Sequence, residues 1–458
     1  MENFLNLNKL VEGDDYRLER KMIWIYLWLL IFEGALRKWF LPGLAQPLLL
    51  VREPIVIFLM LRAIQGGLLT SVWARAMMFV STISLILTFF VGHHNALVGL
   101  FGWQIYFFHF PFMFVMGHVL TRDDLMKMIR FILLLSIPMT ILVVLQFYSP
   151  QTAWVNRGIG GDMEGAGFSG ALGYFRPPGT FSFTSGYVCF QAVVCPALLY
   201  YVVMNTNLQE KYKFPQWVVY VMMVCFLISI PVSISRTHMF QTVAFLLFFA
   251  FATIRTSYMK EKLIGVIFLS VIAVAFMLVT GWADTPLQAF TSRFEGASNA
   301  EGGAIEGSIG NRFFGSFFRG LENALKMPTF GHGLGLGTNA GSKMMDRTIY
   351  NSGFNGEEEW SRITGECGLL LGWSIIAVRV IFPLRILKKA YYFLIQNQDL
   401  LPWMLACGVL LTIPNGQWAV PTNLGFCMLF GSFALVAINT SDEDEDDEED
   451  SEEQKEEC

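Results

Sequence analysis

The sequence predicts an all-α polytopic membrane protein, and three observations predict it. Hydrophobic residues fill 54% of the 458 positions and charged residues only 15%, more apolar surface than a water-soluble fold needs. Apolar runs close to the roughly 20 residues that cross a bilayer as a helix recur along most of the chain. These runs are continuous rather than alternating, which argues against a β-barrel.

Taken in order, the runs place spans near 22–40, 45–64, 73–91, 100–120, 127–148, 185–205, 216–232, 237–254, 262–281, 361–383, 402–414 and 422–438, about twelve helices in all. Residues 1–21 are polar and lead into the first run with no small-residue cleavage site, which reads as a signal anchor with a cytoplasmic N-terminal segment. Residues 22–440 then form one transmembrane domain. With the N-terminus inside, the short inner connections carry Arg62 and Arg75; Arg122, Lys127 and Arg130; Lys211 and Lys213; Arg255, Lys260 and Lys262; and Arg385, Lys388 and Lys389. The short outer connections near 91–100 and 415–421 carry no Lys or Arg, so the positive-inside rule puts both termini in the cytoplasm.

The formal net charge of −5 conceals two regions. After Thr440 the tail holds 13 acidic residues and one Lys, leaving 31 basic against 24 acidic residues, a net +7, for the rest. A tail so charged and so poor in apolar residues has no core to bury, and 441–458 is expected to be disordered. The seven cysteines lie mostly in apolar runs without paired spacing, so neither a disulfide framework nor a zinc site is indicated.

Two outer loops are long, about 149–184 and about 282–360, the second between helices 9 and 10. Loops of this length are usually functional or disordered. Arg157, Arg176, Arg293, Arg312, Arg319, Arg347 and Arg362 lie in or beside them, and Arg236 sits in a short outer turn. Long loops cross the membrane regardless of charge, so these arginines leave the topology intact and need another reason for being there.

The stretch from Arg312 to Gly368 gathers the chemistry. Phe314, Phe317, Phe318, Leu321 and Leu325 recur at helical spacing, while Arg312 and Arg319 project from another side. Asn311 is placed to cap this helix and Met327-Pro328 to stop it, leaving Arg312 in the first turn, where free N–H groups favour an anion. Gly331, Gly333, Gly335 and Gly337 follow, a turn that permits close backbone approach. It lacks the strand and the Gly-Lys-Ser/Thr of a nucleotide loop. His332 stands in that turn, and Glu357, Glu358 and Glu359 precede the tenth span. Glu358 and Arg362 are spaced to pair along a helix surface.

Four segments in this order resemble the O-antigen ligase and related polysaccharide polymerase superfamily of bacterial inner membranes. Arg176-Pro-Pro-Gly179-Thr-Phe181 is similar to the family's Arg-x-x-Gly-Thr-Phe element before a span, and Ser233-Ile-Ser-Arg236 to its Ser-x-Ser-Arg turn. Arg312 through Gly337 is similar to its arginine helix and Gly-x-Gly turn, and Glu366-Cys-Gly368-Leu-Leu370 to its Glu-x-Gly-Leu-Leu helix start. The resemblance covers most of residues 20–438. It implies a GT-C-like, metal-independent glycosyltransferase with no cofactor, acting on the periplasmic face of the inner membrane. Its donor would be an undecaprenyl-diphosphate-linked glycan and its partners an acceptor glycan or glycolipid and the membrane lipids, with no nucleic acid involved. In one place the chain departs: Glu357 stands nine residues before Glu366, where many ligases of the family carry a His.

Arginine suits a diphosphate because its planar guanidinium stays charged and binds phosphate oxygens in pairs. Arg176, Arg236, Arg312 and Arg319 are the candidates for that role. Glu357, Glu358 and His332 are the candidates for the general base, since a carboxylate serves when burial or neighbouring acids raise its pKa. Gly331, Gly333, Gly335, Glu366 and Gly368 are the candidate turn-forming residues. Two other classes fit the span count. A transporter would carry charged residues near the bilayer midplane and similar halves, whereas a scaffold would use the acidic tail as its contact element.

Overall fold

In the computed structural model the protein is about 75% helical, and residues 16–256, 281, 284–301, 319–320, 322, 325–345 and 358–456 are described. Among them, seven helices are long and apolar enough to cross a membrane, and two shorter apolar helices accompany them. An all-α membrane fold follows, as the composition indicated. The expected ninth span at 262–281, except Gly281, lies outside the described residues, as do Asn311, Arg312, Arg347 and Glu357.

The first helix, α1 (Arg17–Ala35), begins inside the segment read as polar and ends in a π-helical turn, Leu36–Phe40. Then come α2 (Glu53–Gln65), α3 (Val72–Phe90) and α4 (Ala96–Val119), the last interrupted by a π turn at Ile105–His109. The next helix, α5 (Arg122–Tyr148), starts with a capping box between Thr121 and Asp124, which satisfies the free N–H groups of its first turn. A two-strand antiparallel hairpin, β1 (Ser169–Ala171) and β2 (Tyr174–Phe175), occupies the first long loop. Helices α6 (Thr184–Met204), α7 (Gln216–Val232) and α8 (Arg236–Arg255) follow. The second long loop contributes α9 (Asp284–Glu301) and a short α10 (Asn339–Met344). Helices α11 (Glu359–Gln396), α12 (Leu400–Thr412) and α13 (Pro421–Glu456) close the chain.

The core is one continuous apolar cluster contributed chiefly by α1, α4, α5, α6, α12 and α13. Leu and Phe of the other helices remain exposed, among them Phe79, Leu247 and Leu384, as expected of surfaces that face lipid. Helix α13 runs from the last apolar segment into the acidic tail, as far as Glu456.

The feature that shapes the start of α11 is an elbow. Gly368 takes φ +75° and ψ −173°, so residues 359–367 form a short helix that folds back on 369–396. Gly372 lies against Thr364 across this fold, leaving little room for a Cβ. A side chain at Gly368 would be strained by the positive φ and would collide with the Thr329 carbonyl oxygen. Gly368→Ala should therefore lower stability by on the order of 1–3 kcal/mol or more. Gly43→Ala, where a Cβ meets open space, should leave it unchanged; melting curves of the detergent-solubilised variants compare the two.

Candidate functional site

Four charges meet at the elbow. Arg362 donates from Nε and Nη2 to both oxygens of Glu359 at 3.0 and 2.8 Å, and from Nη1 to Glu366 at 2.8 Å. Its Nη2 also donates to the Tyr106 hydroxyl at 3.0 Å. Arg379 reaches the same Glu359 from beyond the elbow and donates to the carbonyls of Ile413 and Gly416 at 2.8 and 2.7 Å. The Trp418 ring lies 3.7 Å from its guanidinium carbon. Both arginines are 0% exposed, Glu366 1% and Glu359 3%. Two cations and two anions with nearly all donors used make the group neutral, which is the condition for burying it.

The pairing differs from the sequence expectation. Arg362 pairs with Glu359 and Glu366 rather than with Glu358, because the helix begins at Glu359 and Glu358 is its N-cap residue with extended φ/ψ. Glu358 instead accepts from Arg319 at 2.8 Å and from the Ser361 hydroxyl. Two of the candidate site residues are thus brought together, with the Arg319 side chain 41% and the Glu358 side chain 25% exposed.

The glycine turn is built onto the elbow. His332 N–H donates to Gly365 O at 2.8 Å, Gly333 N–H to Glu366 O at 3.0 Å, and Gly337 N–H to the Glu366 carboxylate at 2.8 Å. Gly331, Gly333 and Gly335 all take positive φ, and a Cβ on Gly331 or Gly335 would strike Glu366 O or Val98 O. From the other side, the His93 ring bonds Leu334 O at 2.9 Å and Thr88 Oγ1 accepts from Leu334 N–H. The turn is therefore wedged between α3, α4 and the elbow. His332 has a buried Nε2 with no partner among the described residues, and burial holds its pKa below the usual imidazole value.

A second group forms at the β-hairpin. Arg176 Nε donates to Ser169 O at 3.2 Å, and Arg293 Nη1 donates to Gly170 O at 2.9 Å. Arg236, the first residue of α8, is near enough that its charge, after burial, helps to push the Arg176 pKa down. Ile234 at φ +46° brings its side chain against Gly170, which seats the Ser-x-Ser-Arg turn under the hairpin. Ser235 caps α8 by accepting from His238 N–H.

The residues after Arg176 are locked from below. Lys38 Nζ donates to Gly179 O and Phe181 O at 2.7 and 2.9 Å, Thr180 Oγ1 donates to Ile31 O at 2.7 Å, and Gln146 bonds both backbone groups of Gly179. Arg37, paired with Glu33, donates to Ser182 Oγ, and Arg52 shares the same Glu33. Sequence reading singled out none of Glu33, Lys38, Arg52 or Arg379. Ionisable residues inside or next to apolar runs are the signal that marks them.

No family model and no curated protein matches the chain. Among the described residues, no group of three His, Cys, Asp or Glu is arranged to hold a metal.

The elbow network makes a quantitative prediction. Arg379→Met or Glu359→Gln alone should destabilise by on the order of 3–5 kcal/mol, since each leaves a buried charge without its counterpart. The double variant should recover part of that loss. A double-mutant cycle on melting in detergent measures the coupling, and strictly additive losses would contradict it.

Proposed function

We propose that the protein is a membrane glycosyltransferase that transfers or polymerises a glycan carried on undecaprenyl diphosphate at the outer face of a bacterial inner membrane. The observation that carries this reading is the gathering of Arg176, Arg236 and Arg293 around one hairpin. Guanidinium groups brought together repel one another, and an anion with several oxygens relieves that repulsion while accepting paired hydrogen bonds. The long loops that carry them are outer loops in the topology read from the inner Lys and Arg residues.

The proposed arrangement has twelve spans, both termini in the cytoplasm and a GT-C-like organisation. Arg176 and Arg236, with Arg312 from the same outer loop as Arg293, hold the diphosphate. They stabilise the charge that develops as the glycosidic C–O bond to phosphate breaks, the part a metal ion plays in other enzymes. Glu357, Glu358 or His332 accepts the proton of the attacking hydroxyl. Arg319 joins this group through Glu358 and sets the orientation of that carboxylate. The acceptor is a second lipid-linked repeat in a polymerase and a lipid A core or another acceptor in a ligase, and the Glu at position 357 favours the polymerase.

The test is glycan analysis of a deletion strain complemented with wild type or variants. Arg176→Ala, Arg236→Ala and Arg312→Ala should each reduce product roughly 100-fold or more. Arg319→Ala should change stability by less than about 1 kcal/mol, because its ion pair is partly exposed, so lost product in that variant reports on function rather than folding. Single repeats left on the carrier would identify a polymerase; long chains on the carrier but absent from the acceptor would identify a ligase. Normal glycans in every strain would return the chain to the transporter or scaffold classes.

Sidedness has its own check. A cysteine replacing Ser342 should react with a membrane-impermeant maleimide in intact cells, and one replacing Thr206 only after permeabilisation. The reverse pattern would invert the topology.

A further inference from the structure

One aromatic pair stands at the surface of the first long loop. The rings of Trp39 and Trp154 stack with centroids 5.3 Å apart and planes inclined by 24°. Trp39 belongs to the π turn that ends α1, and Trp154 opens a 3₁₀ turn, Trp154–Asn156. Although Trp39 covers one face of its ring, Trp154 is 51% exposed, which leaves the other face open.

The turn that carries Trp154 is held from inside. Asn156 is buried, and its Nδ2 lies 2.9, 3.0 and 3.1 Å from the carbonyl oxygens of Gln146, Ser149 and Pro150. Gln146 Nε2 donates to Val155 O at 2.9 Å and to Gly179 O at 3.1 Å, while its Oε1 accepts from Gly179 N–H at 2.8 Å. One buried amide thus ties the tryptophan turn to the residue three places after Arg176. Ordering a large ring costs side-chain entropy, and here that cost falls on folding rather than on binding.

The surroundings of the open face are polar. Residues 158–167 fold back on the turn through Gly158 N–H to Asp162 O, Ala166 N–H to Asn156 O and Gly167 N–H to Gln151 Oε1. Asp162 and Glu164 are exposed on that segment, and the Arg157 guanidinium has no partner among the described residues. A flat apolar face beside hydrogen-bonding groups matches a pyranose, whose C–H bonds lie on its faces and whose hydroxyls lie on its rim. The electron-rich face of indole attracts such C–H groups. A tryptophan also suits the headgroup level of a bilayer, but two exposed carboxyl groups packed beside it repel anionic headgroups and favour a hydroxyl-rich ligand.

We propose that the Trp39–Trp154 pair is a stacking platform for one pyranose ring of a glycan, with hydroxyls of that ring bonding to Asp162, Glu164 or Arg157. The assignment rests on the glycosyltransferase reading and deepens it. The platform takes a sugar of the glycan, and Gln146 fixes it relative to the arginine group that holds the diphosphate.

The test uses the full-length protein in lipid nanodiscs and the oligosaccharide that mild acid releases from the lipid-linked pool of the deletion strain, read by saturation-transfer NMR. Trp154→Ala, Trp154→Leu and Trp154→Phe accompany wild type, and because the side chain is half exposed all three should keep the wild-type melting temperature. Wild type should bind the oligosaccharide, Trp154→Phe should stay within about threefold of it, and the Ala and Leu variants should bind roughly tenfold more weakly or worse. Leucine keeps an apolar anchor but not a flat ring, so it separates stacking from insertion into lipid. If Trp154→Ala fails to fold, the Leu and Phe variants decide. No binding by wild type at millimolar concentration, or equal binding in wild type and Trp154→Leu, would overturn the proposal and leave Trp154 as a bilayer-interface residue. The two readings fail separately. A deletion strain without lipid-linked glycan, or normal glycans in the Arg176→Ala and Arg312→Ala strains, would remove the enzyme reading, whereas lost glycans in those strains without oligosaccharide binding would remove only the platform.

Discussion

The end of the fold that carries the glycine turn depends on one neutral quartet, Glu359, Arg362, Glu366 and Arg379, closed across the bend at Gly368. Without charge balance none of the four would tolerate complete burial. Because three members stand before the elbow and Arg379 beyond it, the ion pairs hold the short helix 359–367 against the long one. Glu366 then serves twice. Its carboxylate takes Arg362 and the Gly337 N–H, while its carbonyl takes Gly333 N–H. The glycine turn, His332 and the Arg319–Glu358 pair take their positions from that framework.

A second cluster follows the same logic. Lys38 and Arg37 at the end of α1 donate to the backbone and hydroxyl of residues 179–182, as Arg379 donates to the carbonyls of Ile413 and Gly416. Irregular backbone buried inside a protein has no water to bond and must find donors there. Long cationic side chains supply several donors each, and here they brace the segments that leave helical geometry. Burial separates these bracing cations from the others. Arg37, Lys38, Arg52, Arg362 and Arg379 are nearly or wholly buried, whereas Arg176, Arg236 and Arg319 keep some exposure. An arginine buried with its donors spent on carbonyls and carboxylates has no face left for a ligand.

Seven of the expected spans were legible as helices long and apolar enough to cross a membrane among the described residues, because a span is written in contiguous residues and hydropathy reads contiguous residues well. The elbow was legible only in part: Gly368 stood out as a turn-forming glycine through the Glu-x-Gly-Leu-Leu segment, but the fold-back at that position and the partners it brings together required the fold. Glu359 and Arg379 stand twenty residues apart, beyond any helical spacing rule, and meet only because the chain folds back. The Glu358–Arg362 expectation failed over one residue of helix boundary, the least certain feature of any sequence reading. At the hairpin, the Arg-x-x-Gly-Thr-Phe and Ser-x-Ser-Arg segments were visible as motifs. Their joint seating, with Ile234 against Gly170 and Arg293 on the same carbonyl edge, required the fold.

Consecutive residues connect the bracing cluster with the π turn of α4. Arg52 turns toward Glu33, and so toward the clamp beneath the hairpin, while Glu53 turns toward His109. Both occupy the start of α2, where a shift of the backbone would move both side chains. Glu33 also holds Arg37, whose other donors reach Ser182 and Ala45 O. A continuous chain of hydrogen bonds and one peptide link therefore runs from the segment that follows Arg176 to the His109 imidazole. Packed charged networks of this kind occupy discrete arrangements and do not deform gradually.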